Sequence, residues 1–554
     1  MFPPLFFLAP LAWFPLASTS NTIFSSKTCN TTFTYPHIPG AEILSITSHL
    51  RTNATIPPSN GFPPSTGLNF CNVTITLTHP GTSDHVAVSV WLPLASEWNG
   101  RFQATGGSGF ANGIFESQLA AALQAGYAAA STDGGTPSGG LAGYGDLSWV
   151  LKDDRSINWD LLQNFSGRSS RDMVLVGKAI TGQFYGEKVR YSYWNGCSEG
   201  GREGYAMAQR WPGLVDGVMA NAPVVSQASV AMGGFWGRVV MKDLGVEVGE
   251  CEMEWFGERV MEACDGVDGV EDGVITDPEE CRFDPYRLIG KKVQCDGKEV
   301  EITVQMAEGV QKILEGPQTP YGAPIWVGLA PGTDLTGRSG AVLLSELGLK
   351  YLVLKDVEFD VSAINYSSYT ALWAQANREF DWLLGTDNPD LSAFQDAGGK
   401  LLTWHGLTDA IVPAANTIQY RKKVEMVMGG SQAVNNFYRL FLAPGVAHCG
   451  RGAGPQPLDP LEALVAWVEK GEAPETLDAA NLDEKGELMT RDLCLYPRKM
   501  KYMGIGDPKR ASSWSCDGEE NEEEEEEESL EEAINSPRDF LEGLQKRFIR
   551  LGLV

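Results

Sequence analysis

Between about residues 40 and 220 the chain alternates short apolar runs with stretches of helical periodicity. Val73–Leu77 and Val86–Leu92 read as strands, the second with an apolar side chain at every other position. Glu116–Ala125 then reads as a helix, Ala128–Ser131 as a strand, Ser170–Tyr185 as a helix, Val189–Tyr193 as a strand and Gly200–Arg210 as a helix. Strand and helix in this order predict a parallel sheet with crossover helices, an α/β core. From about 225 to 395 the alternation is lost. That stretch carries Cys251, Cys264, Cys281 and Cys295, an Asp-Gly-rich segment and several tryptophans. The α/β pattern resumes with Lys400–Thr403 and Phe437–Leu442. One sheet, built from residues 20–224 and 396–516 and interrupted by an insertion at 225–395, fits better than domains in series.

The 554 residues correspond to about three to four domain-sized units, or one large domain with an insertion. With 43% hydrophobic and 21% charged residues, the chain is neither wholly disordered nor collagen-like nor a coiled coil. Its formal charge of −28 would repel phosphate backbones, which argues against nucleic acid as a partner. Part of that charge is local: residues 517–554 hold 14 acidic and 4 basic residues, including a glutamate run from Glu519 to Glu528 broken only by Asn521. Such a run cannot bury a core, so the segment reads as a disordered tail.

Residues 1–19 begin with an apolar stretch and end in Ser18-Thr19, the layout of a cleaved secretory leader. No basic residue precedes that stretch and prolines interrupt it; no later stretch is long and apolar enough to span a bilayer. Asn-x-Ser/Thr sequons stand at Asn30, Asn53, Asn72, Asn164 and Asn365 and are expected on exposed loops. Ten cysteines, an even number, suit disulfides in an oxidising compartment. The reading is a secreted, extracellular protein that does not stay in the membrane.

Gly196-Cys197-Ser198-Glu199-Gly200 follows one predicted strand and opens a predicted helix, the context in which G-x-S-x-G presents a nucleophilic serine on a sharp turn. A serine needs a base, and only His405 and His448 follow it. With the order Ser, acid, His, Asp409 and His448 complete a triad. Both lie just past predicted strands. His405 is the competing base, its other role being to brace the loop that carries Asp409. Thr105-Gly106-Gly107-Ser108-Gly109, after the strand-like Arg101–Ala104, can expose amides to an oxyanion. By position the donors are Gly107 and Glu199, with Ser108 a neighbour. Two other readings stay open: Cys197 as a thiol nucleophile, or a non-catalytic secreted glycoprotein that binds calcium.

Cys197 directly precedes Ser198, and Cys449 directly follows His448. Cys-Ser, then Asp, then His-Cys, with Tyr193–Arg202, Asp216–Pro223 and Trp404–Asp409 around them, resembles the tannase and feruloyl esterase family of secreted, mostly fungal serine esterases. The resemblance covers roughly residues 25–516. It implies an α/β-hydrolase fold with a large calcium-binding lid inserted in the sheet domain, and a triad of Ser198, Asp409 and His448. It also implies a Cys197–Cys449 bridge pinning the two catalytic loops. Asp265-Gly266-Val267-Asp268-Gly269-Val270-Glu271-Asp272-Gly273-Val274 offers hard oxygens around tight turns, chemistry that suits calcium, though its spacing is not that of an EF-hand. The resemblance implies ligation by the side chains of Asp265, Asp268 and Asp272 and the carbonyls of Val270 and Val274. Cys264 and Cys281 bracket this turn as an expected pair; 29–71, 251–295 and 494–516 are the obvious remaining pairs. One departure is Thr132-Asp133-Gly134-Gly135, which lacks the histidine usual there. The implied substrate is a small or polysaccharide-linked ester of a phenolic acid, gallate or a hydroxycinnamate such as ferulate. Trp236, Trp255, Trp326, Trp373 and Trp382 are candidates to stack on its ring.

Overall fold

The computed structural model describes residue 29 and residues 32–59, 62–137, 144–483 and 485–517. The predicted leader, the Asn30 sequon and the acidic tail beyond Asp517 lie outside the described residues. The strands are β1 (Glu42–Ile56), β2 (Ser65–Thr78), β3 (Val86–Pro93), β4 (Arg101–Thr105), β5 (Ala128–Thr132), β6 (Tyr191–Cys197) and β7 (Gly217–Asn221). A hairpin, β8 (Lys292–Cys295) and β9 (Lys298–Glu301), belongs to the insertion, after which β10 (Lys400–Gly406) and β11 (Tyr438–Ala443) return to the sheet. The nine-stranded sheet runs β1-β2-β3-β5-β4-β6-β7-β10-β11.

Alternate side chains of each strand feed two cores. Val90, Phe102, Trp194, Leu401 and Leu440 join the core on one face of the sheet. Their neighbours Trp91, Tyr193, Leu402 and Phe441 join the core on the other, as the period-two geometry of a strand requires. β5 and β7 are buried at every position, because helices cover both faces of a parallel sheet. The sheet is nonetheless mixed, a correction to the wholly parallel expectation. β1, β2 and β3 pair antiparallel, and β3 pairs antiparallel with β5; β5, β4, β6, β7, β10 and β11 run parallel to one another. β6 also starts later and runs further than Val189–Tyr193, because Gly196 and Cys197 still pair with Ala220 and Asn221 of β7.

β7 and β10 are direct neighbours, with Leu401 opposite Val218, although the whole insertion separates them in sequence. The insertion is mostly helical, with Gln227–Gly233, Trp236–Leu244, Glu250–Cys264, Val304–Glu315 and Tyr366–Ala376 among its helices. Trp236, Val239, Tyr369 and Trp373 pack with Phe110, Trp149 and Phe165 of the sheet half. After β11 the chain adds β12 (Gln456–Pro457), β13 (Thr476–Leu482) and β14 (Leu488–Cys494), then the hairpin β15 (Lys499–Tyr502) and β16 (Trp514–Asp517). Disulfides join 29–71, 197–449, 251–295, 264–281 and 494–516. No helix among the described residues is long and apolar enough to cross a membrane.

Candidate active site

The carboxyl ends of β6, β10 and β11 align, and each leads straight into a loop with one chemically distinctive residue. Ser198 follows β6 and precedes the helix Glu199–Arg210, with φ 64° and ψ −121°. This left-handed conformation costs a serine about 1–3 kcal/mol and persists only where the surroundings enforce it. Here they do. The Ser198 N–H donates to Asn221 O at 2.9 Å, and its carbonyl accepts from the N–H groups of Arg202 and Val224. A Cβ on Gly196 would sit 2.4 Å from the Gly200 carbonyl oxygen, so only glycine lets strand and helix approach this closely.

His448, in the loop after β11, accepts the Ser198 hydroxyl at Nε2 (2.9 Å) and donates from Nδ1 to Asp409 Oδ2 at 2.6 Å. Asp409 is wholly buried in the loop after β10, and its Oδ1 accepts from the N–H groups of Ile411 and Val412. Burial alone would raise its carboxyl, but the His448 charge and hydrogen bonds from His405 and His448 hold it well below the usual carboxylate range. An ionised Asp409 fixes the His448 tautomer with Nε2 free to accept, which is the arrangement that activates a serine. His405 lies behind the acid, away from the serine: Nε2 faces Asp409 Oδ2 and Val412 O, and Nδ1 faces Thr417 Oγ1. Cys197 and Cys449 are disulfide-bonded with Cα atoms 6.0 Å apart. No free cysteine remains, which overturns the reading of Cys197 as a thiol nucleophile.

The Glu199 N–H is at the first position of its helix, where no intrahelical acceptor exists. Gly107 is different. Its N–H donates to Glu203 Oε2 at 2.8 Å, so the amide assigned to an oxyanion is held by a carboxylate, a stronger acceptor than a transient carbonyl. The Ser108 N–H is likewise engaged, by Ala111 O. Glu203 also accepts from Asn112 Nδ2 and Ser170 Oγ at 2.8 Å each. Beside it, Glu199 and Arg202 form a buried ion pair. Burial pushes the Glu199 carboxyl up, toward about 8, with Arg202 opposing it. Glu203 and Asn112 were not singled out in the sequence, and Arg202 stood there only as the end of the Tyr193–Arg202 motif. The glycine-rich start of that helix was the available signal, since it demands packing close enough to bury them.

The family model described as tannase and feruloyl esterase matches residues 71–517. The chain belongs to that family. A probable feruloyl esterase of Arthroderma benhamiae is 42% identical over 93% of this chain and 98% of its own. Among solved structures, a tannin acyl hydrolase from Aspergillus niger superposes with TM-score 0.77 at 27% identity, over 87% of this chain and 92% of that one. Feruloyl esterase B from Aspergillus oryzae superposes with TM-score 0.73 at 27% identity, over 87% and 98%. This member of the tannase and feruloyl esterase family is a carboxylic ester hydrolase.

In this family member the acidic turn follows the helix Glu250–Cys264. Asp265 Oδ1 accepts from the N–H groups of Gly273 and Val274, and Asp268 Oδ1 from that of Val270. Burial, reinforced by the neighbouring aspartates, raises the carboxyls of Asp268 and Asp272. Asp272 Oδ2 pairs with Arg491 at 2.7 Å, whereas Asp268 Oδ2 is buried without a partner. Among the described residues no three His, Cys, Asp or Glu side chains converge as a ready metal-ligand group. The turn's chemistry fits a hard cation through the unpartnered Asp268 oxygen, with Arg491 neutralising part of the charge.

A cavity of about 320 Å³ opens between the insertion and the Asp409 loop, lined by Trp236, Arg238, Trp326, Leu335, Ile411 and Pro413. Of the other tryptophans considered, Trp373 is buried, Trp382 is exposed, and Trp255 meets Phe256 edge to face and lies under the Arg259 guanidinium. The sequons divide as well. Asn53 and Asn365 are exposed, and Asn72 is half-buried in β2. Asn164 is fully buried, donating to Asp84 Oδ2 and accepting from Arg168 Nε. It is closed to a glycan in the folded chain, contrary to the expectation for all five.

Proposed function

We propose that this chain is a secreted serine esterase that cleaves esters of phenolic acids through an acyl-enzyme. The observation that carries the reading is the continuous hydrogen-bonded line from Ser198 through His448 to Asp409 at the ends of three parallel strands. Ser198 Oγ attacks the ester carbonyl while His448 Nε2 takes its proton. The imidazolium, stabilised by Asp409, returns that proton to the leaving alcohol, and water repeats the cycle to free the acid. The Glu199 N–H lies at the helix N-terminus beside Ser198 and is aimed to stabilise the tetrahedral oxyanion. The names of the relatives support gallate or a hydroxycinnamate as the acyl group, and the half-buried Trp326 in the cavity wall offers an aromatic face for its ring.

Residues 225–395 act in this reading as the lid. Asp265, Asp268 and Asp272, with the carbonyls of Val270 and Val274, hold calcium, whose contribution is to stiffen the turn. Secretion is supported by the leader-like start and by the five disulfides. Hydrolysis of methyl gallate, methyl ferulate, methyl caffeate and an aliphatic methyl ester tests the substrate class. Turnover of at least one aryl ester well above the aliphatic one is expected. A preference for the aliphatic ester would refute it.

A further inference from the structure

Asp409 is held by two histidines, and the triad uses only one. His405, at the end of β10, is fully buried. Its Nε2 faces two oxygens that only accept, Val412 O at 2.8 Å and Asp409 Oδ2 at 3.2 Å, so this nitrogen carries the hydrogen and donates to both. Its Nδ1 lies 2.9 Å from Thr417 Oγ1, which has no other hydrogen bond among the described residues. The contact with Thr417 holds the ring in place, with its Nε2–H aimed at the carboxylate. Oδ2 of Asp409 thus divides its acceptor capacity between His448 Nδ1–H at 2.6 Å and His405 Nε2–H.

We propose that His405 is a positioning residue for ester hydrolysis, one that fixes the Asp409 carboxylate and limits how strongly it stabilises the His448 imidazolium. The proposal rests on the triad reading given above. The titratable groups facing Asp409 are His405 from β10 and His448 from the loop after β11; Tyr144 lies within Coulombic reach of Asp409. When His405 stops donating, Oδ2 becomes a stronger acceptor for His448 alone. The imidazolium is then stabilised, and the pH below which the base is protonated and idle moves upward. The carboxylate also loses one of the four donors that orient it.

The experiment compares His405→Phe, which keeps a flat buried ring, with His405→Gln, whose amide can place a donor near the old Nε2. The ester is one the unsubstituted enzyme cleaves, and kcat is counted per phosphonate-titrated serine, so unfolded protein does not enter. For His405→Phe, kcat falls about 10- to 100-fold with KM nearly unchanged, the scale expected from misplacing a catalytic group. The acid limb of kcat/KM rises by about half a unit, as loss of one hydrogen bond to the carboxylate implies. His405→Gln recovers most of both. An unaltered kcat per site and acid limb in His405→Phe, whatever its Tm, would overturn the proposal. Independently of any variant, imidazole ¹⁵N–¹H signals of the unsubstituted enzyme should show a hydrogen on His405 Nε2; a bare Nε2 would also overturn the proposal. Activity surviving in Ser198→Ala would instead defeat the triad reading itself, so the two failures are distinguishable.

Discussion

The sheet half and the inserted segment both carry local disulfides, 29–71 and 494–516 in the sheet half, but only the sheet half has a long-range one. Inside the insertion the disulfides are local, separated by 44 residues for 251–295 and 17 for 264–281. The 197–449 bridge spans 252 residues and joins the serine loop to the histidine loop across the whole insertion. The candidate site is therefore assembled from segments that the chain brings together late, and their spacing depends on a long-range tie. Chemistry then sits where three strand ends are locked, whereas the insertion supplies a cavity wall and an acidic turn.

Breaking the two kinds of tie separates the regions. Cys197→Ala/Cys449→Ala should show the larger loss, about 5 kcal/mol by loop-closure entropy as an upper figure, with kcat reduced in the molecules that still fold. Cys264→Ala/Cys281→Ala should lose about 3 kcal/mol on the same basis and leave kcat per titrated serine intact. Urea unfolding combined with active-site titration measures both. Equal kcat losses in the two double variants would remove the distinction. A smaller effect sharpens it further: EDTA should lower Tm by about 1 °C, the shift expected for a loss near 1 kcal/mol in a chain this size. Calcium alone should restore it, and Asp268→Asn should abolish the response. A Tm indifferent to EDTA and calcium would count against the cation.

The same contrast governs how far the sequence could be read. Ser198, Asp409 and His448 were accessible because G-x-S-x-G stood between a strand and a helix, and only two histidines followed it. The alternating valines of Val86–Leu92 announced β3 for a comparable reason. β1 did not announce itself, since an edge strand largely exposed to solvent carries no apolar pattern. Neither did the direction of an amide: Gly107 was placed correctly in a glycine turn, but which way its N–H points depends on Glu203, a residue 96 positions away. The sequon at Asn164 failed likewise, because a three-residue pattern cannot register burial by Asp84 and Arg168. In the insertion only the Asp-Gly turn and the cysteine pairs were legible, as helices packing on one another leave a weaker trace than strands buried on both faces.

The most direct test is labelling with a fluorophosphonate followed by peptide mass mapping, run beside ester hydrolysis by Ser198→Ala. One equivalent of label on Ser198, blocking hydrolysis completely, with a kcat reduced by about four or more orders of magnitude in Ser198→Ala, is the expected result. Label on another serine, or hydrolysis persisting in Ser198→Ala or in the fully labelled enzyme, would contradict the assignment of Ser198, His448 and Asp409 as the machinery of this esterase.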